Sequence, residues 1–100
     1  MSAEIPLAFI GMWGERRREY LKNHKKALYS HYQMNLTLLQ HLEGTQLQAQ
    51  QLYETLIKQL AEKENVTEQL KAENQLEWVR QMNNIRQRAT EIVYNDIIYK

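Results

Sequence analysis

The sequence predicts an all-α chain, folded as an elongated antiparallel bundle of three helices with a long first and a long last helix. Two observations carry this reading. Three glycines and one proline in 100 residues leave few places to turn, and sheets and barrels need frequent turn residues. Apolar side chains also recur at spacings of three and four, the period of a helix with one buried face. A chain this short forms a single domain with a thin core. That domain is placed at residues 11–100, behind an irregular lead-in over 1–10 in which Pro6 opposes helix.

The first helix is read from Trp13 to about His41. Trp13, Tyr20, Leu21, His24, Leu28, His31, Tyr32, Leu39 and Leu42 fall within roughly one-third of its circumference. The stretch Asn35-Leu36-Thr37 is expected to bend it. Gly44 supplies a helix-ending C′ residue, and Thr45 with Gln48 forms a capping box for the second helix. The second helix then buries Ala49, Leu52, Tyr53, Leu56, Ile57 and Leu60. A break is expected at Asn65-Val66-Thr67, with Asn65 and Glu68 as its capping box; the alternative is one continuous helix from 45 to 98. The last helix carries Leu70, Trp78, Val79, Met82, Ile85, Ala89, Ile92 and Val93, a coiled-coil-like seam. The apolar Ile97-Ile98-Tyr99 is expected to dock on another element. Trp13 and Trp78 are expected in the core.

Composition excludes several chemistries. There is no cysteine, which removes disulfides, thiolate nucleophiles and the usual structural zinc sets. No apolar run approaches the roughly 18 residues of a membrane span. Ile5-Pro6-Leu7-Ala8-Phe9-Ile10 lacks the basic flank and cleavage site of a secretory signal, so the expected setting is the cytoplasm. The net charge of +1 is unevenly placed. Residues 1–42 sum to +3, residues 43–77 to −4 and residues 78–100 to +2, so an anion-binding surface belongs on the first or last segment.

Four constellations are candidates. Arg18, Lys22, Lys25 and Lys26 cluster on one arc of the first helix, beside its apolar face, with Tyr29 and Gln33 extending the arc. Such a stripe reaches successive phosphates and releases counterions; alternatively it is a solvated face, with Glu15 and Glu19 pairing some of the bases. Arg80, Asn83, Asn84, Gln87 and Arg88 lie opposite the seam of the last helix. Their side-chain types read adenine and guanine edges, or they make interhelical hydrogen bonds or face water. His24, His31 and His41 stand too far apart to share an ion through one helix, and no Glu precedes His31 or His41 by three as in di-iron bundles. Core-edge packing is the expected role of these histidines. Catalysis lacks a residue set. Glu73 and Glu77 are ordinary i, i+4 carboxylates, Asp96 is the single Asp, and Tyr20 or Tyr29 near arginine lacks the surrounding pocket that a recombinase nucleophile needs.

Ile10-Gly11-Met12-Trp13-Gly14 followed by Arg16-Arg17-Arg18-Glu19-Tyr20-Leu21-Lys22 resembles the opening motif of the transposon-encoded TnpV family. The resemblance is most specific over Thr67-Glu68-Gln69-Leu70-Lys71-Ala72-Glu73-Asn74 and Glu77-Trp78-Val79. It continues through Met82-Asn83-Asn84-Ile85-Arg86, Glu91-Ile92-Val93 and Ile97-Ile98-Tyr99. It implies a setting in bacterial mobile elements, beside recombinases and other accessory genes, and no established biochemical activity. Relatives usually carry a longer leader with aromatic and proline residues. The expected function is therefore a non-enzymatic accessory protein contacting DNA through the first-helix stripe. The alternative is a protein-interaction module that forms a homodimer or binds a recombinase through apolar helix faces. No cofactor, metal or small-molecule substrate is expected.

Overall fold

A computed structural model describes the backbone of residues 7–100 and the side chains from residue 10 onward. The described residues contain five α-helices and a closing π-helix: α1 Leu7–His24, α2 Lys26–Met34, α3 Leu38–Lys63, α4 Glu68–Glu73, α5 Gln75–Val93, then Tyr94–Ile98. The all-α, elongated expectation holds. The molecule measures 55 × 24 × 17 Å with a radius of gyration of 17.0 Å, against about 13 Å for a compact chain of this length.

The three-helix expectation does not hold, and the reason is local. α3 is the axis. α1 runs antiparallel along its first half, from Trp13 beside Gln50 to Arg17 beside His41. α5 runs antiparallel along its second half and meets α1 at its far end, where Val93 joins Trp13. The chain leaves helical geometry at Lys25 (φ −132°, ψ 54°) although no glycine or proline stands there. A straight helix would carry Tyr29 and Tyr32 past the start of α3. The bend returns both onto Ile10, Leu21, Leu38 and Leu42, so burial overrides helix propensity.

Asn35-Leu36-Thr37 ends the helix rather than bending it. Leu36 takes a left-handed conformation (φ 58°), Thr37 N donates to Tyr32 O at 2.9 Å and Leu36 N to Gln33 O at 3.2 Å. This is a Schellman closure with leucine where glycine is usual. Gly44, expected to be a C′ residue, lies inside α3. Thr45 is not a cap either: it is buried, and its Oγ1 donates back to His41 O at 3.0 Å.

The break at 65–67 holds with its roles reassigned. Asn65 (φ 56°) is the C′ residue of a second Schellman closure, with Val66 N on Ala61 O at 2.9 Å. The N-cap is Thr67, whose Oγ1 accepts from Leu70 N. Asn74 then divides the expected last helix. Its Oδ1 caps Glu77 N at 3.2 Å, opening α5. Of the lead-in, Leu7–Ile10 is helical up to a kink at Gly11, and residues 1–6 lie outside the described ones.

The core forms three clusters strung along α3. Ile10, Leu21, Leu38 and Leu42 fill one end, Trp13, Ala49, Val93 and Ile98 the centre, and Val66, Met82 and Ile85 the other end. Trp13 is a core residue as expected; Trp78 is half-buried at the edge of the last cluster, with Lys71 Nζ 4.7 Å from its ring centroid. Met82, Ile85, Ala89 and Val93 of the seam are buried within the chain, while Val79 and Ile92 remain exposed. Ile98 docks as expected, delivered by the wide turn in which Tyr99 N donates to Tyr94 O at 2.8 Å.

Two glycines test this account with opposite signs. Gly11 sits at φ 65°, ψ −173° with the Gln46 side chain 2.5 Å from where a Cβ would stand. Gly11→Ala is expected to cost about 1–3 kcal/mol, the strain of a glycine-only region. Gly44 is in mid-helix with open space around it, so Gly44→Ala is expected to stabilise by about 1 kcal/mol. Urea unfolding reads both; destabilisation by Gly44→Ala would restore the helix end there.

Candidate functional site

The stripe expected on the first helix is assembled only in part. Arg18 is bound at both ends of its guanidinium by Glu15, Nε to Oε2 at 2.8 Å and Nη2 to Oε1, which neutralises it. Glu15 therefore does pair one of the bases. Lys22, Lys25 and Lys26 are exposed, and among the described residues the ion pairs are Arg18–Glu15, Arg80–Glu77 and Arg88–Glu64. Three ammonium groups thus stand without a carboxylate partner across the α1–α2 bend. Tyr29 turns inward onto the first cluster, whereas Gln33 stays exposed.

The second candidate set lies on the solvent side of α5. Asn83, Asn84 and Gln87 are exposed, Arg80 is held by Glu77, and Asn83 Oδ1 accepts from Arg86 Nη1 at 3.5 Å. The Arg80 guanidinium and a Gln81 amide hold the Glu77 carboxyl down to about 2. Arg88 is not part of this face: its Nη2 reaches Glu64 of α3 at 2.8 Å, with Nε buried and unpartnered. The two sets sit on opposite halves of the rod and are not brought together.

Two of the three histidines are not at the core edge. His24 is exposed beside Tyr20, with ring centroids 5.3 Å apart, and His31 is exposed beside Asn35. His41 is half-buried and stacked on Tyr32 at 4.4 Å. Among the described residues no three His, Cys, Asp or Glu side chains converge.

The residue that sequence reasoning missed is Arg17. It is 8% exposed. Its Nη1 donates to Ile98 O at 2.9 Å and to the Lys100 main-chain oxygen at 3.1 Å, and its Nε donates to His41 Nε2 at 3.4 Å. These carbonyls end the π-helix, where helical partners run out and the dipole is negative. The signal was available: Arg17 stands four residues after Trp13 and four before Leu21, on the buried line of the helix. Around it an aromatic series runs Tyr53, Trp13, Tyr94, Tyr99 and Tyr20 at centroid spacings of 5.2–5.8 Å. Trp13 Nε1 donates to Gln50 Oε1 at 2.9 Å, and Gln46 Oε1 accepts from Gly14 N just past the kink. Two shallow grooves of about 420 and 360 Å³ run along the outer side of α1 and share Arg16 and Glu19.

A family model described as transposon-encoded protein TnpV matches residues 1–98. The chain belongs to the TnpV family. The match takes in the lead-in ahead of the Gly11-Met12-Trp13-Gly14 motif as well as the helical region. Comparison with curated proteins finds no match, and comparison with solved structures finds none. For this TnpV chain the glycine motif has a structural account: Gly11 makes the kink and Gly14 admits Leu42 O to within 3.0 Å of a Cβ position. No helix among the described residues is long and apolar enough to cross a membrane.

His41 makes the site pH-sensitive. Burial first, and the Arg17 charge second, lower its pKa below the ordinary histidine value. A base whose folded pKa is depressed binds fewer protons folded than unfolded, so stability is lost as pH falls below the unfolded value of about 6.5. Glu77 and Glu64, both lowered, keep their charges across that range. The thermal midpoint is expected to fall between pH 7.5 and 5.5, and His41→Gln, which retains an acceptor for Arg17, is expected to flatten that slope. An unchanged slope in the variant would remove His41 from the account.

Proposed function

We propose that this TnpV-family chain is a non-enzymatic accessory protein of a bacterial mobile element that contacts DNA through Lys22, Lys25 and Lys26. The observation that carries the reading is the set of three exposed ammonium groups without ion-pair partners within five residues. The remaining charge near the bend agrees with it, since no acidic residue occurs between Glu19 and Glu43. Arg18, already satisfied by Glu15, flanks the contact and contributes less. The exposed Arg80, Asn83, Asn84 and Gln87 face belongs to a separate surface and is not needed for it.

A second reading, association with a copy of itself or with a recombinase, is supported by different residues than the sequence suggested. The Met82–Val93 line is consumed by α3, whereas Met34 and Leu36 project at the α2–α3 turn, Leu36 being 91% exposed. An exposed leucine held in left-handed backbone is a candidate anchor for a partner protein.

The deciding experiment is fluorescence anisotropy of a labelled fragment from the end of the host element, beside a random duplex of equal length. Binding is expected at about 50 mM salt, falling steeply by about 200 mM as counterion release dictates. Changing Lys22, Lys25 and Lys26 together to Glu is expected to abolish it. The DNA reading fails if micromolar protein leaves both duplexes and their separated strands free, or if the triple variant binds as well as the parent.

A further inference from the structure

The groove between α1 and the π-helix is lined by Arg16, Glu19, Tyr20, Asn23, His24 and Tyr99, and no role above uses it. We infer that it binds unpaired nucleobases, so that the nucleic acid this protein recognises is single-stranded. The inference rests on the DNA reading but adds a different surface to it.

One wall of the groove is a row of three rings. Tyr99 and Tyr20 have centroids 5.2 Å apart, and Tyr20 and His24 5.3 Å. Tyr99 and His24 are exposed and Tyr20 is half-buried, so ring surface faces the opening. Aromatic treads of this kind stack successive bases without regard to sequence. Beside the rings, the exposed Arg16 guanidinium lies 4.9 Å from the Tyr94 ring centroid. Its donors, with the Asn23 amide, supply what a base edge or a phosphate needs.

The groove is continuous with its neighbour through Arg16 and Glu19. Together they follow α1 from Gly11 to His24, about 20 Å at helical rise. That is length for several nucleotides.

Geometry and charge select the ligand class. A duplex hides the faces of its bases and offers only edges; an unpaired strand offers the faces on which a row of rings stacks. Of the basic residues in 15–26, Arg16, Lys22, Lys25 and Lys26 are exposed and held by no carboxylate among the described residues, against the one exposed Glu19, which favours a polyanion over a peptide. Lys22 stands about 60° around α1 from Glu19, at the outer edge of the groove, in position for the phosphates of a strand whose bases lie inside.

The ledge that carries Tyr99 supports the same reading. It is a π-helical turn, a geometry frequent at functional sites. A buried arginine holds its carbonyls.

The test uses the full chain, a labelled oligothymidylate of about 12 nucleotides, and a duplex of equal length. The single strand is expected to bind at least tenfold more tightly than the duplex. Changing His24→Ala together with Tyr99→Leu is expected to lose at least tenfold on the single strand and leave duplex binding intact. Changing Lys22, Lys25 and Lys26 to Glu weakens both.

Duplex bound as tightly as single strand, with the ring variant unchanged on both, overturns the groove and leaves the DNA reading standing. No binding to either overturns both. Should the ring variant lose its helical circular dichroism, amide shift mapping on the unaltered protein decides. Shifts centred on Tyr20, Asn23, His24 and Tyr99 support the groove; shifts confined to Lys22, Lys25 and Lys26 overturn it.

Discussion

The structure depends on one buried guanidinium. Arg17 joins three elements with one side chain: its own helix α1, His41 of α3, and the carbonyl ends of the π-helix. A buried charge is tolerated only when its donors are met. Here the acceptors are main-chain oxygens that the end of a helix leaves without partners. Each side thus satisfies the other. The arrangement fixes where Val93 and Ile98 close over Trp13, and it sets Tyr94 and Tyr99 against α1.

That fixed end matters because the rod has little else to hold its halves in register. α1 and α5 cover different lengths of α3, and between them the described side chains meet where Val93, the last residue of α5, packs in one cluster with Trp13. The first cluster lies under α1 and α2, and the last under α4 and α5. Among the described residues, the central cluster of Trp13, Ala49, Val93 and Ile98 is the one that draws on α1, α3 and the C-terminal segment together. A thin core of this kind is sensitive to any change that frees the π-helix, and the groove beside α1 would be lost with it.

Much of the fold was legible in the sequence because helical period is a strong local signal. The buried faces of α3 and α5 follow it, and so do the break at 65–67 and the docking of Ile98. What was not legible were the ends. Gly44 looked like a terminator, but a glycine in mid-helix with open space around it marks nothing. Leu36 and Lys25 terminate or bend helices through tertiary burial of Tyr29 and Tyr32, which no local rule reports. Of the basic stripe, the exposed face that carries Lys22, Lys25 and Lys26 was legible from charge spacing, while the pairing of Arg18 with Glu15 needed side-chain geometry. Arg17 was hidden inside a run of three arginines, where its place on the apolar line was the single clue. The Tyr99–Tyr20–His24 row escaped because its rings come from opposite ends of the chain.

Native-state hydrogen exchange on an Arg17→Met variant tests the central claim most directly, since methionine keeps the aliphatic length and removes every donor. The expected result is a selective loss of protection at the amides of Tyr94 to Tyr99. It should come with a fall in global stability of about 1–3 kcal/mol, the cost of orphaning buried acceptors. Protection around Val66, Met82 and Ile85 should persist. Unchanged protection at Tyr94–Tyr99, or a loss spread evenly over all five α-helices, would show that the π-helix is held by apolar packing alone and that Arg17 does not organise the fold.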